Sequence, residues 1–158
     1  MSGEDVVSLS DYLFSPHGRI NRAKFWLYGV VSAIIMMVVI AVMSLVWASQ
    51  LYDPRGGFSF PFRALVGVGV VYLLLLIVGI FVGIKRLHDR DKSGWWLVLF
   101  YLVPMVFGWI SAILSRNGIG ALFALASLIV WIWTLVELGC LRGTAGPNRY
   151  GEDPLARA

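Results

Sequence analysis

The run from Phe25 to Ser49 carries no charged residue, and its length decides what kind of chain this is. An α-helix rises 1.5 Å per residue, so about 20 apolar residues cross the ~30 Å hydrocarbon core of a bilayer. This run exceeds that, which predicts a tilted helix or a protruding end. Three further apolar runs follow, at about 64–84, 95–115 and 119–138. Only 14% of the residues are charged, against about 25% in a soluble domain. The expected fold is all-α: an integral membrane bundle of four transmembrane helices in one domain, residues 1–158. A short cytoplasmic polar cap completes it, made of the leader 1–24, the hinge 85–94 and the tail 139–158.

Met1 to Asp11 is acidic and lacks the basic-then-apolar layout of a signal peptide. Val6, Val7, Leu9, Tyr12, Leu13 and Phe14 give the leader an apolar side, consistent with a short helix on the membrane face or with a partly ordered terminus. Pro16 and Gly18 mark a turn, and Asn21 is placed to cap the next helix through its side-chain oxygen. Arg19, Arg22 and Lys24 then precede Phe25, Trp26 and Tyr28, the basic-then-aromatic order of an entry into lipid. Trp47 and Tyr52 form the opposite belt, and Gln50 to Arg63 reads as an outer loop. Gly79 and Gly83, like Gly108 and Ala112, lie four apart, a spacing that lets helices approach closely in lipid. Trp95 and Trp96 anchor the third span, where Pro104 removes a backbone hydrogen bond and predicts a kink. Arg116-Asn117-Gly118 reads as a tight outer turn. Trp131 and Trp133 close the fourth span, and the Gly- and Pro-rich tail reads as a chain of turns.

Orientation follows from the basic residues. Arg19, Arg22, Lys24, Lys85, Arg86, Arg90, Lys92, Arg142, Arg149 and Arg157 fall on one side, and Arg55, Arg63 and Arg116 on the other. The positive-inside rule places both termini and the hinge in the cytoplasm. The basic excess therefore serves topology and anionic lipid, and nucleic acid is not an expected partner.

Three motifs lie on that cytoplasmic side. They are Phe14-Ser15-Pro16-His17-Gly18-Arg19-Ile20-Asn21-Arg22 with Phe25-Trp26, Arg86-Leu87-His88-Asp89 with Ser93-Gly94-Trp95-Trp96, and Gly146-Pro147-Asn148-Arg149-Tyr150-Gly151-Glu152-Asp153-Pro154. In this order, across nearly the whole chain, they resemble the bacterial membrane family called domain of unknown function 805. The resemblance implies a four-helix protein of the bacterial inner membrane and implies no activity.

The residues themselves leave three functions open. Arg19, Arg22, Lys85, Arg86 and Arg149 could converge on an anion beside His88 and Asp89, with anionic lipid head groups the obvious ligand. The plainer reading is that they close the bundle, together with Gly18, Trp95, Trp96, Glu137, Asn148 and Tyr150. On the first function the protein is a non-enzymatic module that binds anionic lipid, a membrane protein partner or a second copy of itself. The second is a small channel or transporter subunit, with Pro104 and the glycines giving helix mobility. The third is a lipid head-group enzyme using His88 and Asp89, although neighbouring helical residues point about 100° apart and form no dyad alone. Glu137 is expected to pair with Lys85 or Arg86, and Asp89 with Arg22 or Arg86. The sole cysteine, Cys140, excludes an intrachain disulfide, and no metal or cofactor is expected from the ligand spacing.

Overall fold

The structure, a computed structural model, describes residues 9–51, 62–115 and 118–156. Residues 52–61 of the predicted outer loop, Arg116 and Asn117 of the predicted turn, Val6, Val7 and Arg157 lie outside these residues, whereas the predicted loop's ends, Gln50 and Arg63, are helical. The described chain forms α1 (Leu9–Phe14), α2 (Arg22–Leu51), α3 (Phe62–Asp89), α4 (Trp96–Ile113) and α5 (Ile119–Leu135), which runs into a π-helical turn (Val136–Cys140). Among the described residues, four stretches are long and apolar enough to cross a membrane: Arg22–Ala48, Leu65–Asp89, Trp96–Ile113 and Ile119–Cys140. Apart from one isolated bridge between Asn148 and Gly151, no extended pairing occurs among them.

Two helix ends differ from the sequence reading, each for a local reason. The hinge does not begin at Lys85, because α3 continues to Asp89. It stops in a Schellman motif: Lys92 N–H donates to Leu87 O at 2.9 Å and Asp91 N–H to His88 O at 3.0 Å. Asp91 holds the left-handed position of that motif at φ 55°. Glycine is the usual occupant, so the sequence carries no glycine signal for this stop. The last helix also outlasts Leu138, by widening into the π turn, in which Leu141 N–H donates to Val136 O at 3.0 Å. The N-terminus of α2 is as expected, since Asn21 Oδ1 accepts from Lys24 N–H at 2.9 Å.

The chain divides into two compact units. One, Leu27–Gly79, holds most of α2 and α3. Within it the Tyr28 hydroxyl donates to Leu75 O. A Cβ at Gly79 would stand 3.0 Å from that hydroxyl, so the small residue makes room for the ring. Leu45 and Leu73 are 71% and 54% exposed, as suits helices whose solvent is hydrocarbon.

The other unit joins Met1–Trp26 to Ile80–Ala158. Its core is Leu87, Leu97, Phe100 and Leu138, with Phe25, Ile84, Trp96 and Leu99 packed around them. Phe100 meets the edge of Trp133 at 5.3 Å between ring centres. Gly83 is tight against Leu97, where a Cβ would stand 3.0 Å from a methyl. The turn between α4 and α5 is closer still. Gly118 takes φ 68°, and a Cβ at Gly120 would lie 2.7 Å from Ser111 O. Gly108 makes no such approach, with open space where its Cβ would be. The helix α4 runs unbroken through buried Pro104, whose carbonyl accepts from the Ser127 hydroxyl at 3.0 Å.

Candidate functional site: a buried arginine–aspartate–arginine cap

The end of α3, the segment before α2 and the tail meet around one carboxylate, that of Asp89. The turn at Gly18 (φ 89°) aims Arg19 at it. Arg19 Nε and Nη2 donate to Asp89 Oδ1 at 3.2 and 3.1 Å. From the preceding turn of α3, three residues back on the same face, Arg86 Nη1 donates to Asp89 Oδ2. The side chains of Arg19, Arg86 and Asp89 are 1%, 0% and 4% exposed.

A buried pair of guanidiniums on one carboxylate is tolerable only if every remaining N–H finds an acceptor. The tail supplies them. Arg19 also donates to Thr144 O (2.6 Å), to the Thr144 hydroxyl (3.2 Å), to Gly146 O (2.7 Å) and to Gly151 O (3.2 Å). Gly146 and Gly151 hold φ of 74° and 134°, which turns both carbonyls inward where a side chain would be strained. Arg86 donates to Leu138 O at 2.7 Å and to Leu141 O.

Those two carbonyls belong to the end of the last span, where orphan backbone acceptors need partners. Two others there are also met: Trp26 Nε1 donates to Gly139 O at 3.0 Å and Arg90 Nη1 to Arg142 O at 2.6 Å. Cations at a helix C-terminus are also favoured by its dipole. Two cations and an indole thus finish a helix end that faces polar surroundings.

The tail itself is pinned. Thr144 N–H donates to Asp89 O at 2.8 Å, and Asn148 Nδ2 donates to His88 O at 2.9 Å. Tyr150 stacks face to face on His88, 3.8 Å between centres and 4° between planes. His88 Nδ1 lies 3.3 Å from Gly18 O, so the ring is held between two segments. Asp153 accepts from Gly146 N–H (3.0 Å) and Leu155 N–H (2.9 Å), and these bonds hold its carboxyl below the usual carboxylate range. Replacing Tyr150 by leucine should cost about 0.5–1.5 kcal/mol beyond lost area, the worth of an aromatic pair. Faster tryptic release of the tail checks this.

Glu137 does not pair with Lys85 or Arg86. The π turn directs it to Arg90 (3.1 Å) and Lys92 (2.9 Å). Lys92 also lies 5.0 Å above the Trp96 ring. Lys85, buried, donates to Tyr12 O at 2.8 Å, and burial pushes the Tyr12 phenol up. Asp89 takes Arg86 and Arg19, not Arg22. Arg149 stays at the exposed edge of the cluster, paired with Asp91 at 3.0 Å and 5.0 Å above the Tyr150 ring, and does not reach Asp89. Trp95 is 81% exposed, and its side chain takes no part in the cap.

Of the thirteen residues singled out in the sequence, the structure gathers Gly18, Arg19, Arg86, His88, Asp89, Asn148 and Tyr150 into one network. Thr144, Gly143 and Asp153 were missed. Thr144 and Gly143 lie outside the three motifs and no spacing marks them; Asp153 stands within the last motif. Beside the network lies a cleft of about 300 Å³, lined by Arg22, Arg142, Thr144, Asp89 and Asp153 among others. Among the described residues, the Arg22 and Arg142 side chains are in no ion pair. Among them there is also no group of His, Cys, Asp and Glu suited to a metal.

Comparison with known proteins places this arrangement. The chain is 27% identical over 137 residues to the inner membrane protein YhaI of Escherichia coli K12, covering 87% of this chain and 83% of that one. It is 28% identical over 147 residues to the uncharacterized protein YiiR of the same strain, covering 93% and 90%. It is 28% identical over 137 residues to the inner membrane protein YhaH, covering 87% and 84%. No solved structure matches it. Four apolar helices and inner-membrane relatives make this a multi-pass inner membrane protein. The family model described as protein of unknown function (DUF805) matches residues 13–152, which takes in all three segments of the cap, and the chain belongs to that family.

Proposed function

We propose that the protein is a non-enzymatic membrane module whose polar cap faces the cytoplasm and recognises anionic lipid. One observation carries this reading. The cap spends its buried guanidiniums on its own construction, yet leaves Arg22, Lys24, Arg142 and Arg149 exposed around it. Each basic residue near an anionic leaflet adds about 1 kcal/mol of attraction. The cytoplasmic assignment rests on the same bias, since the segments joined in the cap hold most of the basic residues.

The test uses the full chain in detergent with mixed phosphatidylglycerol and phosphatidylcholine, read by native mass spectrometry. Retained lipid should be enriched in phosphatidylglycerol, and the enrichment should fall as salt rises. Equal retention of both lipids at low salt would overturn the reading. Reporter fusions that placed the tail outside the cell would overturn the orientation.

A further inference from the structure

The cleft beside the triad has the features of a site rather than a dent. It lies between the start of α2 and the tail segment that Arg19 holds in place. Its back wall is held in place, because Asp89 and Thr144 are tied by hydrogen bonds to each other and to Arg19. Among the side chains that line it, those of Arg22 and Arg142 are cations in no ion pair. Both carboxylates that line it are already engaged, Asp89 by Arg19 and Arg86, Asp153 by two backbone N–H groups. Four guanidiniums therefore stand at or behind its walls against two carboxylates, so the field inside favours an anion.

We infer that this cleft binds one phosphate group, clamped by Arg22 and Arg142. The inference rests on the anionic-lipid reading and narrows it to one place. Guanidinium forks match the paired oxygens of a phosphate, and two of them on one anion give bidentate bonding that a single surface lysine cannot. The volume sits at the bottom of the ~300–1,000 Å³ range of small-molecule sites, too little for a whole lipid and enough for a head group. Depth favours a lipid source. Arg22 precedes the Phe25 and Trp26 belt by one helical turn, the level at which head-group phosphates lie.

The experiment titrates the full-length protein, in neutral detergent, with dihexanoyl phosphatidylglycerol and separately with inorganic phosphate. Dihexanoyl phosphatidylglycerol should bind saturably, one per chain. Arg22→Ala and Arg142→Ala should each weaken that binding about tenfold or more, since one charge-assisted contact is worth that much. Both side chains are exposed and unpaired, so melting of the variants should match the parent and exclude misfolding. Arg142→Lys should recover only part of the loss. Competition by inorganic phosphate at similar concentration would assign the same site to free phosphate; failure to compete assigns it to the lipid head group. No saturable binding of either probe, or unchanged affinity in both alanine variants, would overturn the inference. If phosphatidylglycerol enrichment persisted in that case, the broader lipid reading would stand alone; if it were absent too, both would fall.

Discussion

Asp89→Asn is expected to destabilise the detergent-solubilised protein by about 3–5 kcal/mol, the range for removing one partner of a buried charge pair. The amide keeps the size of the carboxylate and none of its charge. Arg19 and Arg86 cannot respond by losing a proton, because a guanidinium stays charged in proteins. Two buried cations, 1% and 0% exposed, would then face each other across a neutral group. The amide nitrogen would also bring donors toward guanidinium N–H groups where the carboxylate offered only acceptors. The tail should loosen first, since Arg19 reaches Thr144, Gly146 and Gly151 from its position on Asp89. Thermal unfolding followed by tryptophan fluorescence, with trypsin as a probe of the tail, measures both effects. A melting curve and a cleavage rate equal to the parent's would show that the triad does not hold the cap.

Gly143→Ala should be nearly as damaging, for a reason of space alone. Gly143 has no positive φ to explain it, unlike Gly146 and Gly151. Its Cβ would overlap the Asp89 carboxylate, 2.5 Å from Cγ and 2.7 Å from Oδ1. Ordinary overpacking costs about 1–3 kcal/mol. Here the group that must yield is the anion on which both arginines depend, so the loss should lie above that range. The same melting assay decides, and an alanine variant as stable as the parent would mean the tail can shift without disturbing Asp89.

The sequence made the membrane architecture plain because uncharged runs near 20 residues have few other uses. Basic motifs at three places, all on one side, also foretold a shared polar cap. The partners inside the cap were another matter. Nothing in the spacing tells whether Asp89 takes Arg19 or Arg22, because the two lie three residues apart and only the Gly18 turn and the start of α2 at Arg22 decide which one faces it. Glu137 escaped for a similar reason: the π turn rotates it toward Arg90 and Lys92, and a π turn has no composition of its own. The glycines of the tail were legible as turns, yet Gly143 is there to let a backbone pass close to a carboxylate. That requirement appears only when segments far apart in sequence meet. The stop of α3 after Asp89 was hidden because Asp91 stands where glycine is expected.

The cap draws on Arg19, Arg86 and Asp89, and the stretch from Leu138 to Gly151, so Arg19 bonds to partners 70, 125 and 132 residues away. A nascent chain whose final helix has not yet been threaded through the bilayer holds two cations and one anion with most of their acceptors still unsynthesised. Until that last segment is in place, Arg19 and Arg86 lack the carbonyls of Leu138, Leu141, Thr144, Gly146 and Gly151, so the cap is the last part of the fold that can close.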